Sequence, residues 1–275
     1  MGGFLALLRP GNGVVASAAV LAGALAGAGP PAVEGTTLVR VALGCAAAFC
    51  FIGAGNALND FFDREIDKKA HPDRPIPSGR VTPRAALWVS AGLFATALAI
   101  GAFLSLDALA VVATSALMML AYEKGLKAAG LPGNGAIAYL SGITFLFGGV
   151  VVAAPLSALP LALLGFLASL GREVAKDIED MEADTDRRTL PQRVGAPRAG
   201  LVSAASTLAA VALSPLPFLP LGQFGLEYLA VIAAADATFI YAASVLRASP
   251  RGSQRLSKVG MALATLAFAV GGWFG

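Results

Sequence analysis

The sequence predicts an all-α, polytopic membrane protein, a helical bundle in a single domain covering residues 1–275. Three observations support this fold class. Apolar residues make up 57% of the chain and charged residues only 13%, whereas a soluble domain carries about 25% charged residues. The mean hydropathy is +0.74. The apolar residues form continuous runs, and because a backbone in lipid must satisfy its own hydrogen bonds, such runs are expected to be helices.

The apolar runs predict about nine transmembrane helices, most of them near the roughly 20 residues that cross a bilayer. They cover residues 12–28, 39–58, 84–105, 107–122, 132–153, 156–172, 197–214, 223–246 and 257–273. Two connections between them, 59–84 and 172–198, are long and charged and are expected to be loops. Each follows an apolar helix, which is consistent with two pseudo-repeated halves.

The charged residues predict the orientation of the bundle. If the helices alternate in direction, 19 of the 20 Lys and Arg residues fall on one side and only Arg40 falls on the other. By the positive-inside rule, the crowded side is cytoplasmic. We therefore expect a multi-pass protein of the cell membrane, with its N-terminus and charged loops in the cytoplasm and its C-terminus outside. The pI near 9.0 then reflects topology, and no nucleic-acid partner is expected.

A pattern of acidic residues occurs twice, once in each long charged connection. The first copy comprises Asn59, Asp60, Asp63 and Asp67, and the second comprises Lys176, Asp177, Asp180 and Asp184. On a continuous helix, the four positions of each copy fall within about a 100° arc. Two such stripes facing each other predict a site for Mg²⁺, which takes a few carboxylates and completes its shell with water and phosphate. A single stripe could equally be a solvated helix end, but the repeated spacing favours metal binding.

Basic and polar side chains near the two stripes predict a diphosphate site. The candidates for substrate binding are Asn56, Asn59, Arg74, Tyr122, Lys124, Lys127, Arg172 and Lys176. Arg can contact phosphate with two parallel hydrogen bonds and Lys as a point charge, so together with Mg²⁺ they would stabilise a diphosphate leaving group. Departure of an allylic diphosphate leaves a carbocation that must be kept from water. Many of the basic residues could instead serve only to set topology, and Tyr122 is also typical of a helical core.

The two acidic segments resemble the signatures of the UbiA superfamily of intramembrane prenyltransferases. NDFFDREID followed by HPDRPIPSGRVTP is similar to the first signature, and REVAKDIEDMEADTDRRTLP is similar to the second. The resemblance implies a nine-helix bundle, Mg²⁺ dependence and transfer of a polyprenyl group from its diphosphate. Carried over by position, it implies that Asn59, Asp63 and Asp67 bind the metal with Asp180 and Asp184, and that the four aspartates among them are the catalytic residues.

Three further segments resemble one branch of that superfamily, the archaeal digeranylgeranylglyceryl phosphate synthases. They are LLRPGNGVVASAAVLAGAL, LKAAGLPGNGAIAYLSGITFLFGG and REVAKDIEDMEAD. The resemblance implies that geranylgeranyl diphosphate alkylates the free hydroxyl of geranylgeranylglyceryl phosphate, a step in archaeal ether-lipid synthesis. The expected partners are thus an isoprenyl diphosphate donor, a lipid acceptor and membrane lipids.

Two alternatives stay open at this point. The first is the same machinery with an aromatic acceptor such as 4-hydroxybenzoate, as in quinone biosynthesis. The second is a secondary transporter, suggested by two similar halves. Transporters bind their substrates near the bilayer midplane, whereas both acidic copies lie at the ends of apolar spans, which disfavours transport.

Overall fold

In a computed structural model, residues 2–182 and 188–275 are described, and they contain twelve α-helices and no strand. The helices are α1 (Gly2–Leu8), α2 (Pro10–Ala28), α3 (Gly35–Phe62), α4 (Arg64–Ala70), α5 (Pro83–Leu104), α6 (Leu106–Lys124), α7 (Leu131–Val151), α8 (Pro155–Glu179), α9 (Leu190–Val194), α10 (Ala196–Leu213), α11 (Leu226–Val245) and α12 (Pro250–Phe274). Nine of these described helices are long and apolar enough to cross a membrane. The predicted all-α membrane bundle is therefore confirmed.

Several helices extend beyond the predicted apolar spans into charged sequence. The helix α3 continues to Phe62, α8 continues to Glu179, and α12 begins at Pro250. Helix ends are set by capping as well as by hydrophobicity, and Ser249 caps α12 by accepting a hydrogen bond from the backbone N–H of Gly252. The two long connections are consequently not simple loops, because α4 lies in the first and α9 in the second.

Polar contacts distinguish the two ends of the bundle. At one end, which we call the charged end, the first residues of the chain meet the α3–α5 connection, and the Arg193 guanidinium donates to the Ala128 carbonyl at 3.1 Å. At the opposite end, the Arg40 guanidinium donates to the Val151 carbonyl at 3.0 Å. The Gln223 amide bonds there to two further carbonyls, of Ala26 at 3.0 Å and of Ser157 at 2.7 Å. Arg40 therefore lies at the end of the bundle opposite Arg193.

The helix α2 lies at the centre of the bundle, packed against α3, α7, α8 and α12. Its crossing with α7 is close, because a Cβ atom added at Gly23 would overlap the Phe145 carbonyl and one at Gly148 would overlap the Val20 carbonyl. Small residues that allow close backbone approach are typical of helix contacts in membranes. This crossing fixes α7 and α8 relative to the first half of the bundle, and the C-terminal end of α8 carries the second acidic motif.

Candidate active site at the charged end

The first acidic motif lies where α3 ends and α4 begins. Asp63 is the C-cap of α3, with φ −83° and ψ 0°, and α4 starts at the next residue. The prediction that this copy occupies one continuous helix is therefore wrong. Asp63, at the break, and Asp67, after it, contact cations from different parts of the chain, Lys127 and Arg74.

The two motifs share the same capping geometry. The N–H of Asp63 donates to the Asn59 carbonyl at 2.9 Å, and the N–H of Asp180 donates to the Lys176 carbonyl at 2.9 Å. Asp63 and Asp180 occupy the same position in the two copies, and each is the C-cap of a membrane-spanning helix. The repeated sequence spacing thus corresponds to a repeated local structure up to this position.

Lys127 joins the first motif to the segment between α6 and α7. Its Nζ lies 2.6 Å from Asp63 Oδ2 and 3.4 Å from Glu123 Oε2. Glu123 also accepts a hydrogen bond from the Asn59 amide at 3.0 Å. The side chains of Lys127, Asp63 and Glu123 are 11%, 13% and 0% exposed. We call Asn59, Asp63, Glu123 and Lys127 the Lys127 cluster. It places one cation between two carboxylates in a largely dry setting.

The other two aspartates of the first motif face arginines. Arg74, which follows α4, pairs with Asp67 at 2.6 Å and lies 4.0 Å from Asp60. Arg9, between α1 and α2, pairs with Asp60, whose side chain is fully buried. A cavity of about 430 Å³ opens beside this group, and Arg9, Asp60 and Arg74 line it together with Arg80. The buried aspartates are therefore balanced by arginines that also border open space.

The solvent face of α4 differs from its buried face. Glu65 and Lys68 form an exposed ion pair at 2.7 Å, and the hydrogen bond from Lys68 lowers the pKa of Glu65. Exposed pairs of this type contribute little to stability. The buried face of α4 is thus the one that carries Asp67.

The second motif lies at the C-terminal end of α8. Asp177 accepts a hydrogen bond at 2.8 Å from the amide of Asn134 on α7. One turn earlier, Arg172 pairs with its neighbour Glu173. Lys176 and Asp180 are half-buried in the last turn and at its cap. Asp184, the last position of this motif, lies outside the described residues.

Of the remaining predicted substrate-binding residues, one lies beside the Lys127 cluster and two lie away from it. Tyr122 presents its ring to Lys127, with Nζ 5.8 Å from the ring centroid. The amide of Asn56 donates to the Leu8 carbonyl at 2.9 Å and so holds α1 against α3. Lys124 is exposed on the last turn of α6. The structure therefore brings Tyr122 to the Lys127 cluster, whereas Asn56 and Lys124 lie apart from it.

Four residues that contact the motifs were not identified from the sequence as site residues. Glu123 and Arg9 contact the first motif, and Asn134 and Glu173 contact or adjoin the second. The sequence contains one indication of Glu123: it lies four residues before Lys127, and acidic and basic side chains at i, i+4 spacing often pair. The others are single polar residues whose partners lie far away in the chain, so no local spacing identifies them.

The donor set is suited to a hard cation with few protein ligands. Among residues 2–182 and 188–275, no three acidic, His or Cys side chains converge on one point. Each described carboxylate of the first motif instead contacts Lys or Arg. The second oxygen of Asp60 is buried and has no hydrogen-bond partner among these residues. Carboxylates spread over two helix ends match Mg²⁺, which keeps several waters and takes only one or two carboxylates beside substrate phosphates.

Comparisons with known proteins place this architecture among prenyltransferases. The model of the UbiA prenyltransferase family matches residues 15–270. The chain is also 41% identical to a digeranylgeranylglyceryl phosphate synthase of Halobacterium salinarum, and the match covers 98% of this chain and 96% of that protein.

Solved structures agree with these sequence matches. A structure described as digeranylgeranylglyceryl phosphate synthase in membranes has a TM-score of 0.80 and 34% identity, covering 98% of both chains. A UbiA homolog from Archaeoglobus fulgidus, bound to DMAPP and Mg²⁺, has a TM-score of 0.70 and 16% identity, covering 98% of this chain and 99% of its own. At that lower identity the second likeness concerns the fold.

Proposed function

This chain belongs to the UbiA prenyltransferase family, and on that premise we propose that it transfers a geranylgeranyl group from geranylgeranyl diphosphate to the free hydroxyl of geranylgeranylglyceryl phosphate. The observation that carries this proposal is the nearly full-length similarity to digeranylgeranylglyceryl phosphate synthases. It makes the protein an enzyme of archaeal ether-lipid synthesis.

The acidic motifs are proposed to hold Mg²⁺. Asp63, Asp67, Asp180 and Asp184 are its main ligands, and Asn59, Asp60 and Asp177 assist. When bound, Mg²⁺ supplies positive charge that stabilises the diphosphate as a leaving group. The pairing of Asp63 with Lys127 and of Asp67 with Arg74 supports this role, because a metal ion can take over a carboxylate and leave the nearby cation to contact phosphate.

The residues of the chain perform the remaining tasks of the reaction. Lys127 and Arg74 hold the donor diphosphate, with Tyr122 beside Lys127, while Arg172 and Lys176 neutralise phosphate charge from the second motif. The bond between the allylic C1 carbon and the diphosphate oxygen breaks, and its electron pair leaves with the diphosphate. The acceptor hydroxyl oxygen forms the new C–O bond and then passes its proton to the released diphosphate. The apolar bundle excludes water from the allylic carbon while it is cationic.

The orientation in the membrane follows from charge. We place the charged end and the N-terminus in the cytoplasm and the C-terminus outside, by the positive-inside rule. The water-soluble diphosphate released by the reaction would then enter the cytoplasm, and the lipid product would stay in the membrane.

An acceptor panel tests the proposal. Purified protein receives labelled geranylgeranyl diphosphate and Mg²⁺, with geranylgeranylglyceryl phosphate or 4-hydroxybenzoate as acceptor. Ether product from the glycerol phosphate alone supports the proposal. Product from the phenol alone would assign the protein to aromatic prenylation, and transport of either substrate into proteoliposomes without covalent product would refute the enzyme assignment.

A further inference from the structure

The helices α8 and α12 run antiparallel, and an ion pair at the charged end fixes their register. Arg251 Nε, in the first turn of α12, lies 3.7 Å from Glu179 Oε1, in the last turn of α8. Seven residues are close to two helical turns. Moving seven residues inward along each helix therefore brings Lys258 on α12 to the level of Arg172 on α8.

The same register continues deeper in the bundle. Leu164 and Ala168 on α8 line a small cavity together with Met261 and Thr265 on α12. These are the next positions inward on both helices, so the two helices face each other along this whole stretch. We call the region where the two helices face each other at the level of Arg172, Lys176 and Lys258 the α8–α12 groove. Its outer part is basic, and the space below it is lined mainly by apolar side chains.

Of the three cations that define the α8–α12 groove, only Arg172 has an ion-pair partner among the described residues. Glu179 is paired with Arg251, and Glu173 is paired with Arg172 through Nη1. The Nε atom of Arg172 is buried and has no hydrogen-bond partner among the described residues. Within residues 2–182 and 188–275, neither Lys176 nor Lys258 forms an ion pair. A buried guanidinium N–H without a partner, at the level of two Lys side chains that form no ion pair within the described ranges, is the chemistry of an anion site.

We propose that the α8–α12 groove binds the phosphate monoester of the lipid acceptor, with Lys258 as a specificity-determining residue. This inference rests on the proposed function, because that reaction needs a second anion site besides the one for the donor diphosphate. The donor phosphates are assigned to Lys127, in the segment between α6 and α7, and to Arg74, in the segment after α4. The phosphate charge that Arg172 and Lys176 neutralise is then that of the acceptor. Lys258 belongs to a helix that carries neither acidic motif, so it can serve the acceptor separately.

The apolar space below the groove favours a lipid phosphate over inorganic phosphate. A phosphate held by Lys258 and Arg172 Nε would place an attached isoprenyl chain beside Leu164, Ala168 and Met261. An isoprenyl chain in that position adds dispersion contacts to those made by the phosphate. Inorganic phosphate gains none of this, so it should bind the same cations far more weakly.

The test is acceptor binding by the Lys258→Gln variant. The dissociation constant of geranylgeranylglyceryl phosphate is measured in detergent without donor, followed by the KM of each substrate in the transfer reaction. Loss of one charge-assisted contact should weaken acceptor binding and raise the acceptor KM about tenfold or more, with the donor KM unchanged. Lys258→Arg should restore much of the affinity. Arg255→Gln is the matched control: it removes an exposed cation of α12 one turn before Lys258, and it should change neither constant.

Other outcomes would overturn the assignment. An unchanged acceptor dissociation constant, or a rise in the donor KM instead, would show that Lys258 does not hold the acceptor phosphate. Equal competition by inorganic phosphate and by the lipid phosphate would refute the lipid assignment. If the wild-type protein binds the lipid phosphate through Lys258 but forms no ether, the proposed function is wrong, whereas the assignment of the groove as a lipid-phosphate site is supported.

Discussion

Removal of the Lys127 charge should destabilise the protein and make its stability depend more strongly on metal. In the Lys127→Gln variant, Asp63 and Glu123 lose the cation that lies 2.6 Å and 3.4 Å from them. Breaking a buried ion pair costs about 3–5 kcal/mol. Because the site borders the charged end of the bundle, we expect the lower figure, about 3 kcal/mol of unfolding free energy.

Metal should offset part of this loss. A divalent cation bound at Asp63 compensates the carboxylate that Lys127→Gln leaves unpaired, and a ligand that binds only the folded state stabilises it by mass action. Mg²⁺ should therefore stabilise the variant more than the wild type, in which Lys127 competes for the same oxygen. The assay is the free energy of unfolding in detergent, measured for both proteins in EDTA and in Mg²⁺.

The outcome in EDTA decides whether Lys127 stabilises the cluster. A variant as stable as the wild type without metal would refute the claim that Lys127 compensates buried carboxylates. Equal Mg²⁺ effects on the two proteins would refute competition between Lys127 and the metal at Asp63. Lys124→Gln is the matched control, since it removes an exposed Lys three residues away and should change stability by less than about 0.5 kcal/mol.

Three further perturbations have defined outcomes. Arg9→Gln should cost about 3 kcal/mol because it leaves the buried Asp60 with only Arg74, 4.0 Å away, and adding Asp60→Asn should recover much of that loss in the same unfolding assay. Gly148→Ala should lower the free energy of unfolding by about 1–3 kcal/mol, because the new methyl group overlaps the Val20 carbonyl where α2 crosses α7. Its control is Gly135→Ala, whose added Cβ meets nothing within 4 Å and which should be neutral or stabilising. Glu123→Leu should lower the transfer rate by more than its loss of folded protein explains, because the Asn59 amide loses its hydrogen-bond acceptor. An unchanged transfer rate would exclude a positioning role for Glu123.

Much of the fold could be predicted because its signals are local. Nine continuous apolar runs specify the nine membrane-length helices found in residues 2–182 and 188–275, and no tertiary information is needed to see them. The positions of the helix ends were less predictable, since α8 continues past Arg172 through a run of good helix formers to Glu179. In a charged segment, hydropathy no longer distinguishes helix from loop.

The acidic half of the candidate site was also visible in the sequence, but its partners were not. The spacing of Asp63 and Asp180 is a local property and recurs in the structure as the same capping position. The contact of Asp63 with Lys127 spans 64 residues, and that of Asn134 with Asp177 spans 43. Such pairs depend on which helices pack together, and that information is spread over the whole chain.

The most direct test of the central claim is the transfer rate of the Asp63→Asn and Asp180→Asn variants, alone and combined, in single-turnover reactions with saturating Mg²⁺. If the two motifs act together on one donor diphosphate, each single substitution should lower the rate by about 100-fold or more, and the double variant should be little slower than either. Wild-type rates in either single variant, or losses that multiply in the double variant, would contradict a shared site.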